Sequence, residues 1–329
     1  MQFDIINGND WLQNCTHDFE ATAMALYRYQ YQHNELYRAY HQALKINVDA
    51  VKTLTQIPFL PISFFKTHKV STMPDACAAA VFDSSGTTGM TPSRHFVHDL
   101  SLYEAISVAG FEGVYGSVEN WVILALLPSY LERKTSSLVH MAKTMMDKGG
   151  HPDNGFYLNE WDLLQDKLVQ LKGQGKKVLL LGVTFALIDF ATKYPMDLSG
   201  VVVMETGGMK GRQAEWTREQ VHQFLKKQWQ LDTVHSEYGM TELLSQAYAK
   251  TEGVFEPLPT MRAFVRDPQD PLGTMEEGAG VLNIIDLANV YSCAFIATED
   301  MGKVYSDKRF EVLGRMDFAA LRGCSMLAI

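Results

Sequence analysis

Residues 82–94 read Phe-Asp-Ser-Ser-Gly-Thr-Thr-Gly-Met-Thr-Pro-Ser-Arg, and they extend the apolar run 79–83, which is typical of a buried strand. The small and hydroxylated residues offer backbone N–H groups and hydroxyls that can all face one anion, as in a loop that cradles a phosphate. No Gly-Lys-Ser/Thr closes the stretch, so it is not a Walker loop, and Arg94 is the nearest cation for a phosphate oxygen. Taken alone, the stretch fits an ordinary Ser/Gly turn equally well.

Apolar runs and amphipathic stretches alternate on the C-terminal side of this loop. The apolar runs lie at 121–127, 177–181 and 200–205, and amphipathic stretches lie around 99–112, 135–148, 159–172 and 184–193. This alternation is typical of an α/β fold with buried strands. From about residue 260 onward, alternating or β-branched segments predict a β-rich closing region, with strands at 261–266, 280–286, 291–298 and 310–313.

The N-terminal part of the chain has a helical pattern followed by a proline-containing connector. Residues 18–44 contain no Gly or Pro and carry apolar residues near helical spacing, which predicts a helix packed on a core. The two prolines in 57–66 hold extended backbone around them. We therefore expect an N-terminal helical region with this entry segment at 1–66, a core at 67–317 and a tail at 318–329.

Composition and charge exclude several classes of protein. The 329 residues carry 29 Lys+Arg against 38 Asp+Glu, a formal charge of −9, so nucleic acid, which binds basic faces, is not an expected partner. The longest apolar runs are far shorter than the roughly 20 residues that cross a bilayer, so no membrane span is expected. The first residues lack the pattern of a secretory signal, which favours a cytoplasmic protein. Four scattered cysteines predict neither a disulfide framework nor a zinc site.

A second cluster, residues 235–242, reads His-Ser-Glu-Tyr-Gly-Met-Thr-Glu. It places an aromatic ring, a hydroxyl and a carboxylate within five residues, which can stack on a base, hold a phosphate and ligate Mg²⁺. The plainer interpretation is a capped turn, in which Thr241 begins a short helix and Tyr238 lies in the core.

Two more clusters follow predicted strands. Residues 203–210 end a hydrophobic strand in Gly207-Gly208, where backbone can approach a flat ligand, and ligands of open α/β sheets lie beyond the carboxyl ends of strands. Asp300, in Glu-Asp-Met-Gly, can bond a ribose diol, although Asp-x-Gly is also plain hairpin sequence.

In this order and at these separations, the four clusters resemble the core motifs of the adenylate-forming superfamily, and more closely those of the LuxE-type acyl-protein synthetases. The closer similarity rests on Ile-Pro-Phe-Leu-Pro at 57–61, on residues 84–94, and on Gly-Arg-Met-Asp at 314–317 followed by Arg-Gly-Cys-Ser at 322–325. It runs through nearly the whole chain. The resemblance implies an α/β adenylate-forming large-domain fold, with mixed and parallel sheets covered by helices, that activates a carboxylic acid with ATP.

The resemblance also implies roles for individual residues. The ATP phosphates would be held by the first loop: Ser84, Ser85, Gly86, Thr87, Thr88 and Gly89. Gly207, Gly208 and Tyr238 would sandwich the adenine, with Gly239 and Met240 in the same nucleotide-binding motif. Thr241 would touch the α-phosphate and Glu242 would bind Mg²⁺. Asp300 and Arg315 would hold the ribose.

The C-terminal end departs from the wider superfamily. The wider superfamily carries a catalytic lysine in a small C-terminal domain, whereas no lysine follows Lys308 here and twelve residues follow Asp317. Arg94 is therefore a candidate partial substitute. LuxE-type chains are short in the same way and offer a cysteine instead. Cys324 lies seven residues past Asp317, which at about 3.3 Å per residue lets its sulfur swing roughly 23 Å. Arg322 nearby favours the thiolate.

We therefore expect a ligase that forms an acyl adenylate and transfers the acyl group to Cys324 as a thioester. The resemblance implies a fatty acid substrate and an acyl-reductase or acyl-carrier partner. Transfer to coenzyme A or an acyl carrier protein without Cys324 is one alternative, and a nucleotide-binding structural subunit of an acyl-reducing complex is another. Cys324 as a small buried residue is the plain alternative for the tail. The acyl pocket is expected near 121–130 and 183–190, and Cys77 and Cys293 in the core.

Overall fold

The computed structural model describes residues 8–74, 77–84, 91–128, 135–207 and 216–316. Within these ranges the helices, in chain order, are α1 Gly8–His17, α2 Phe19–His33, α3 Glu35–Ala43, α4 Phe64–Thr67, α5 Leu100–Tyr115, α6 Ser137–Gly149, α7 Trp161–Gly173, α8 Thr184–Lys193 and α9 Arg218–Trp229. Short 3₁₀ turns cover Val48–Ala50, Leu54–Gln56 and Val118–Asn120. No helix among these is both long and apolar enough to cross a membrane.

The strands are β1 Leu60–Pro61, β2 Ala80–Asp83, β3 Arg94–Val97, β4 Val122–Leu126, β5 Gly155–Tyr157, β6 Val178–Val183, β7 Val202–Thr206, β8 His235–Tyr238, β9 Ala247–Ala249, β10 Val254–Pro257, β11 Met261–Asp267, β12 Asp270–Met275, β13 Gly278–Asp286, β14 Phe295–Val304 and β15 Phe310–Arg315. All but β2 and β3, which form a separate hairpin, join one sheet in the order β12-β11-β13-β14-β15-β10-β9-β8-β7-β6-β4-β5, with β1 added beside β14.

The sheet changes character at β8. On one side, β5, β4, β6, β7 and β8 pair in parallel, and every residue of β4 and β6 is buried, as expected for strands covered by helices on both faces. On the other side, β8 pairs antiparallel with β9, and antiparallel pairing then continues through β10, β15, β14, β13, β11 and β12. The predicted α/β core and β-rich closing region are therefore confirmed.

The N-terminal helical pattern divides at Asn34. The predicted single helix over 18–44 is wrong, because the backbone at Asn34 is extended (φ −98°, ψ 105°) and separates α2 from α3. The Asn34 side chain accepts a hydrogen bond from Tyr37 N at 3.0 Å, so it caps the start of α3. Asparagine favours such caps because its carbonyl oxygen can replace a missing helical acceptor.

The segment between β13 and β14 is a loop, although the sequence predicted a strand over 291–298. The strand begins only at Phe295, and a backbone hydrogen bond from Asp286 N to Ala294 O closes the loop at its base. Helix α1 contacts this loop, because Trp11 Nε1 donates to Leu287 O at 2.9 Å. The boundaries expected at 66 and 317 stay predictions.

Candidate functional site

The carboxyl ends of β7 and β8 bring two of the sequence clusters side by side. Thr206 and Glu237 are register partners in this parallel pair, and the Thr206 hydroxyl donates a hydrogen bond to the Glu237 carboxylate. Gly207 and Gly239 follow these strands and are exposed, while Tyr238 and Glu237 are buried. The exposed glycines therefore form the rim of this edge, above buried polar side chains.

The first cluster reaches the same edge through the β2–β3 hairpin. Ser84 N donates to Ser93 O at 2.9 Å and Ser93 N donates to Ser84 Oγ at 2.8 Å, so these two serines close the neck of the loop. Ser85, Gly86, Thr87, Thr88 and Gly89 lie outside the described residues.

Arg94, at the start of β3, has an exposed side chain held against its own hairpin. Its Nε lies 3.7 Å from Asp83 Oδ1, and its guanidinium lies 5.3 Å from the centre of the Phe96 ring. Both partners are on the hairpin, so these contacts of Arg94 lie within β2 and β3. Its catalytic role stays a prediction.

His95 joins the hairpin to the second cluster. Its Nδ1 is 2.8 Å from Thr241 O and its Nε2 is 3.0 Å from Ser292 Oγ. Because a carbonyl only accepts, Nδ1 carries the proton and Nε2 accepts from the serine. Burial lowers the pKa of His95 to about 4, so the ring is neutral near pH 7. Ser93 also lies close to Glu242, and its side chain opposes the rise in the pKa of that carboxyl.

The fourth cluster meets the second at Tyr238. The Tyr238 hydroxyl donates to Asp300 Oδ2 at 3.0 Å, and Arg315 Nε lies 3.7 Å from Asp300 Oδ1. Asp300 and Arg315 are register partners in β14 and β15, so Asp300 lies within a strand and the hairpin-turn alternative is wrong. The Tyr238 ring packs against Phe255 and Phe310, which agrees with the expectation that it lies in the core.

The segment after β8 is a turn, and the alternative of a short helix beginning at Thr241 is wrong. Leu243 N donates to Met240 O at 3.1 Å. A Cβ at Gly239 would lie 2.5 Å from Glu237 Oε1, so the glycine leaves room for this carboxylate. Met240 and Thr241 are half-buried, whereas Glu242 points inward and is buried.

Two carboxyl groups at this edge are buried, and burial has the largest effect on the pKa of each. Burial raises the pKa of Glu242, and the Ser93 side chain and the charges of Arg315 and Lys66 oppose this rise. Burial also raises the pKa of Asp300, against the charge of Arg315 and the bond from Tyr238. A cation or a hydroxyl donor placed beside such a carboxylate would favour its ionised form.

A polar cluster around Glu205, on the opposite face of β7, was not predicted. Thr184 Oγ1 lies 2.9 Å from Glu205 Oε2 and 2.8 Å from Gly207 O, and Ser236 Oγ donates to Glu205 Oε1 at 2.6 Å. Arg218 also bonds Glu205, at 3.2 Å, and extends to Val312 O. The cluster therefore holds Gly207, which has a left-handed backbone with φ of 70°. The sequence did contain a signal for this cluster, because Glu205 is a carboxylate in the otherwise mostly apolar strand β7.

Other sequence expectations have mixed outcomes. Cys293 is buried as expected, but Cys77 is exposed, so its assignment to the core was wrong. Residues 122–126 are buried and Phe190 packs on Trp161 and Trp229, so the described parts of the expected acyl pocket make core contacts. Gly208 and Cys324 lie outside the described residues. No group of three or more His, Cys, Asp or Glu side chains that could hold a metal occurs within the described ranges.

Glu237 gives a testable dependence of stability on pH. Burial raises its pKa to about 7 and the charge of Glu205 adds to this, against the hydrogen bond from Thr206. A carboxyl whose pKa is higher in the folded state binds extra protons there, so stability falls as pH rises from about 4.5 to 7. Relative to wild type, Glu237→Gln should therefore gain roughly 3 kcal/mol between pH 5 and pH 8. Urea denaturation across this range measures the difference.

The comparison with wild type removes the effect of other titrating groups. His95 and His235, whose pKa values burial lowers to about 4, act in the opposite direction and are present in both proteins. Glu256→Gln, at an exposed position on β10, is the control and should leave the pH profile unchanged. Parallel profiles for wild type and Glu237→Gln would contradict the prediction.

Comparison with known proteins supports the resemblance drawn from the motifs. Residues 13–111 match the family model described as acyl-protein synthetase, LuxE. Over 340 residues, the chain is 24% identical to a long-chain-fatty-acid–luciferin-component ligase of Aliivibrio fischeri, covering 91% of this chain and 84% of the relative. The predicted similarity to LuxE-type proteins is confirmed.

Solved structures confirm the predicted fold. A 2-hydroxyisobutyryl-CoA ligase has a TM-score of 0.68 at 12% identity, over 90% of this chain and 67% of that chain. A long-chain-fatty-acid-CoA ligase from Archaeoglobus fulgidus has a TM-score of 0.50 at 15% identity, over 75% of this chain and 53% of that chain. At these identities the likeness concerns the fold alone: mixed parallel and antiparallel sheet covered by helices.

Proposed function

We propose that this chain is an AMP-forming acid–thiol ligase: it activates a carboxylic acid with ATP and passes the acyl group to a cysteine thiol, as an acyl-protein synthetase. The substrate we propose is a fatty acid, since the relative from Aliivibrio fischeri is named a long-chain-fatty-acid ligase. The 2-hydroxyisobutyryl-CoA ligase was solved in the postadenylation state with R3-HIB-AMP, which supports an adenylate as the intermediate.

The observation that carries this proposal is the convergence of four distant sequence clusters at one edge of the sheet. Direct hydrogen bonds link Thr206 to Glu237, His95 to Thr241, and Tyr238 to Asp300. This edge is also where the parallel and antiparallel parts of the sheet meet, and ligands of open α/β sheets bind beyond the carboxyl ends of strands.

In the proposed reaction, a carboxylate oxygen of the acid bonds to the α-phosphorus of ATP, the bond to the bridging oxygen breaks, and pyrophosphate leaves. The loop whose neck is closed by Ser84 and Ser93 would supply backbone donors to the phosphates, and Thr241 would bond the α-phosphate. Donors fixed before reaction stabilise the charge that builds on phosphate oxygens. Asp300, oriented by Tyr238 and Arg315, would accept from the ribose hydroxyls.

The donor set fits Mg²⁺ bound together with ATP. Magnesium in nucleotide sites commonly takes one or two protein carboxylates and completes its shell with phosphates and water, so a cluster of three acids is not needed. Glu242 would be that carboxylate. Burial raises its pKa, and a cation bound beside it would stabilise the ionised form. Bound Mg²⁺ would neutralise part of the negative charge on the phosphates.

We propose Cys324 as the first acyl acceptor. Its thiol loses a proton, the thiolate bonds to the acyl carbon, and AMP leaves with the former carboxylate oxygen. The chain enters this tail from β15 beside the site, because Met316 N donates to Glu299 O at 2.8 Å, next to Asp300. An acyl reductase or acyl carrier would then remove the acyl group.

Pyrophosphate release with a panel of carboxylic acids tests the activation step. The expected result is ATP-dependent release that is greatest with a fatty acid, accompanied by an acyl adduct in the intact mass of the protein. If a thioester forms on added coenzyme A or acyl carrier protein and the protein itself carries no acyl adduct, the acceptor is one of these molecules and not Cys324. If calorimetry shows ATP binding but no acid gives pyrophosphate release, the proposed enzymatic activity is contradicted. A role as a nucleotide-binding structural subunit would then be favoured.

A further inference from the structure

The turn at 241–245, which carries Thr241 and Glu242, depends on side chains from other elements for its backbone hydrogen bonds. His95 Nδ1 donates to Thr241 O at 2.8 Å and Asn289 Nδ2 donates to Glu242 O at 2.8 Å. Asp286 Oδ2 accepts from Leu244 N at 2.7 Å and from Ser245 N at 3.0 Å. The turn is therefore held on both sides by groups that are distant in sequence.

Most of these groups come from Asp286, the last residue of β13, and from the loop between β13 and β14. Asp286 and Asn289 bond the turn directly, and Ser292 bonds it indirectly, because its hydroxyl donates to His95 Nε2 at 3.0 Å. All three side chains are almost fully buried. The loop therefore supports the turn together with the end of β13.

The loop is in turn held by Gln30 of α2 and by Asn34, the cap of α3. Gln30 Nε2 donates to Asn289 O at 2.7 Å and to Val290 O at 3.0 Å, and its Oε1 accepts from Ala294 N at 2.9 Å. Asn34 Nδ2 donates to Ser292 O at 2.9 Å. Two side chains thus satisfy four backbone groups of a buried loop, and both are 0% exposed. Buried backbone groups require such partners.

We infer that Gln30 and Asn34 are positioning residues for acid activation, acting through the loop at 287–294 and His95 on the turn that carries Thr241 and Glu242. The sequence alone suggested only a core-packing role for these helices. The inference rests on the proposed function for its chemical consequence, because Thr241 and Glu242 matter only if they meet the nucleotide. Small displacements of reacting groups lower rates by large factors, on the order of 100-fold for about 1 Å.

Gln30→Met tests the relay, since it keeps the approximate volume and removes all three bonds to the loop. Tyr37→Phe is the matched control: its hydroxyl makes an equally buried bond in the same helical layer, to Pro58 O at 2.7 Å, with no bond to the 287–294 loop. Amide hydrogen exchange is measured in peptides covering 240–247, with β6 as the internal reference. We expect exchange about tenfold faster in Gln30→Met and within about threefold of wild type in Tyr37→Phe.

The rate of ATP–pyrophosphate exchange gives the second readout. Gln30→Met should lower kcat about 10- to 100-fold and change KM for the acid less than about threefold, whereas Tyr37→Phe should change neither. Equal hydrogen exchange at the turn in the two variants would overturn the inference, and so would faster exchange with unchanged kcat. If Gln30→Met does not fold, Ser292→Ala, which removes only the donor to His95, is expected to act in the same direction.

These readouts separate the inference from the proposed function. A wild-type protein that supports no pyrophosphate exchange with any acid would contradict the proposed function. Even then, hydrogen exchange at 240–247 in Gln30→Met and Tyr37→Phe would decide whether Gln30 of α2 helps to hold the turn. An active wild type with insensitive Gln30→Met and Ser292→Ala variants would overturn the inference alone.

Discussion

Glu242→Gln is expected to lower kcat for ATP–pyrophosphate exchange about 100-fold, which corresponds to ~2.7 kcal/mol of transition-state stabilisation. Glu242 is 5% exposed, lies close to Ser93, and follows Thr241 at the edge where the four clusters meet. Glutamine keeps the shape of the side chain but removes the charge that would face magnesium. Initial rates at saturating ATP and acid, measured over a range of Mg²⁺ concentrations, check the prediction.

Glu299→Gln is the matched control for this experiment. Glu299 directly precedes Asp300 on β14, and because side chains alternate along a strand it lies on the opposite face from Asp300. Its substitution removes the same charge close to the site and should change kcat less than about threefold. An exchange rate of Glu242→Gln equal to that of Glu299→Gln would contradict a role for Glu242 in activation.

Much of the fold could be predicted because its signals are local. Buried runs such as 121–127 alternate with amphipathic stretches, and parallel strands covered on both faces leave that pattern in the sequence. The break at Asn34 was missed because no Gly or Pro marks it, and the cap depends on one side chain turning back to Tyr37 N. The strand expected at 291–298 was placed too early because its apolar residues pack in a loop held by distant side chains.

The motifs of the site could be predicted from the sequence, but the hydrogen bonds that join one motif to another could not. Tyr238 and Asp300 were recognised from short patterns, yet their hydrogen bond joins residues 62 positions apart and follows from strand order. The contact between His95 and Thr241 spans 146 positions, so neither spacing nor composition reveals it. The pKa of Glu237 depends on burial by the sheet and on its register partner Thr206, both of which are tertiary properties.

Cys324→Ala is expected to abolish the acyl adduct on the protein while leaving ATP–pyrophosphate exchange within about twofold of wild type. In the proposed reaction the two steps use different groups: activation would use the edge formed by β7, β8 and β14, and transfer would use the Cys324 thiolate. Alanine removes the nucleophile and no other group. Intact mass measured after incubation with ATP and a fatty acid, before and after treatment with hydroxylamine, detects a thioester and its cleavage.

Cys77→Ala provides the control for Cys324→Ala, because Cys77 is exposed and would acylate in any non-specific reaction of thiols with an activated acid. Cys15 and Cys293 are poor candidates, since burial raises the pKa of each thiol to about 12 and disfavours the nucleophilic thiolate. The adduct should therefore persist in Cys77→Ala and disappear in Cys324→Ala. Persistence of a hydroxylamine-sensitive adduct in Cys324→Ala would place the acceptor elsewhere, and loss of pyrophosphate exchange in that variant would mean that the tail takes part in activation itself.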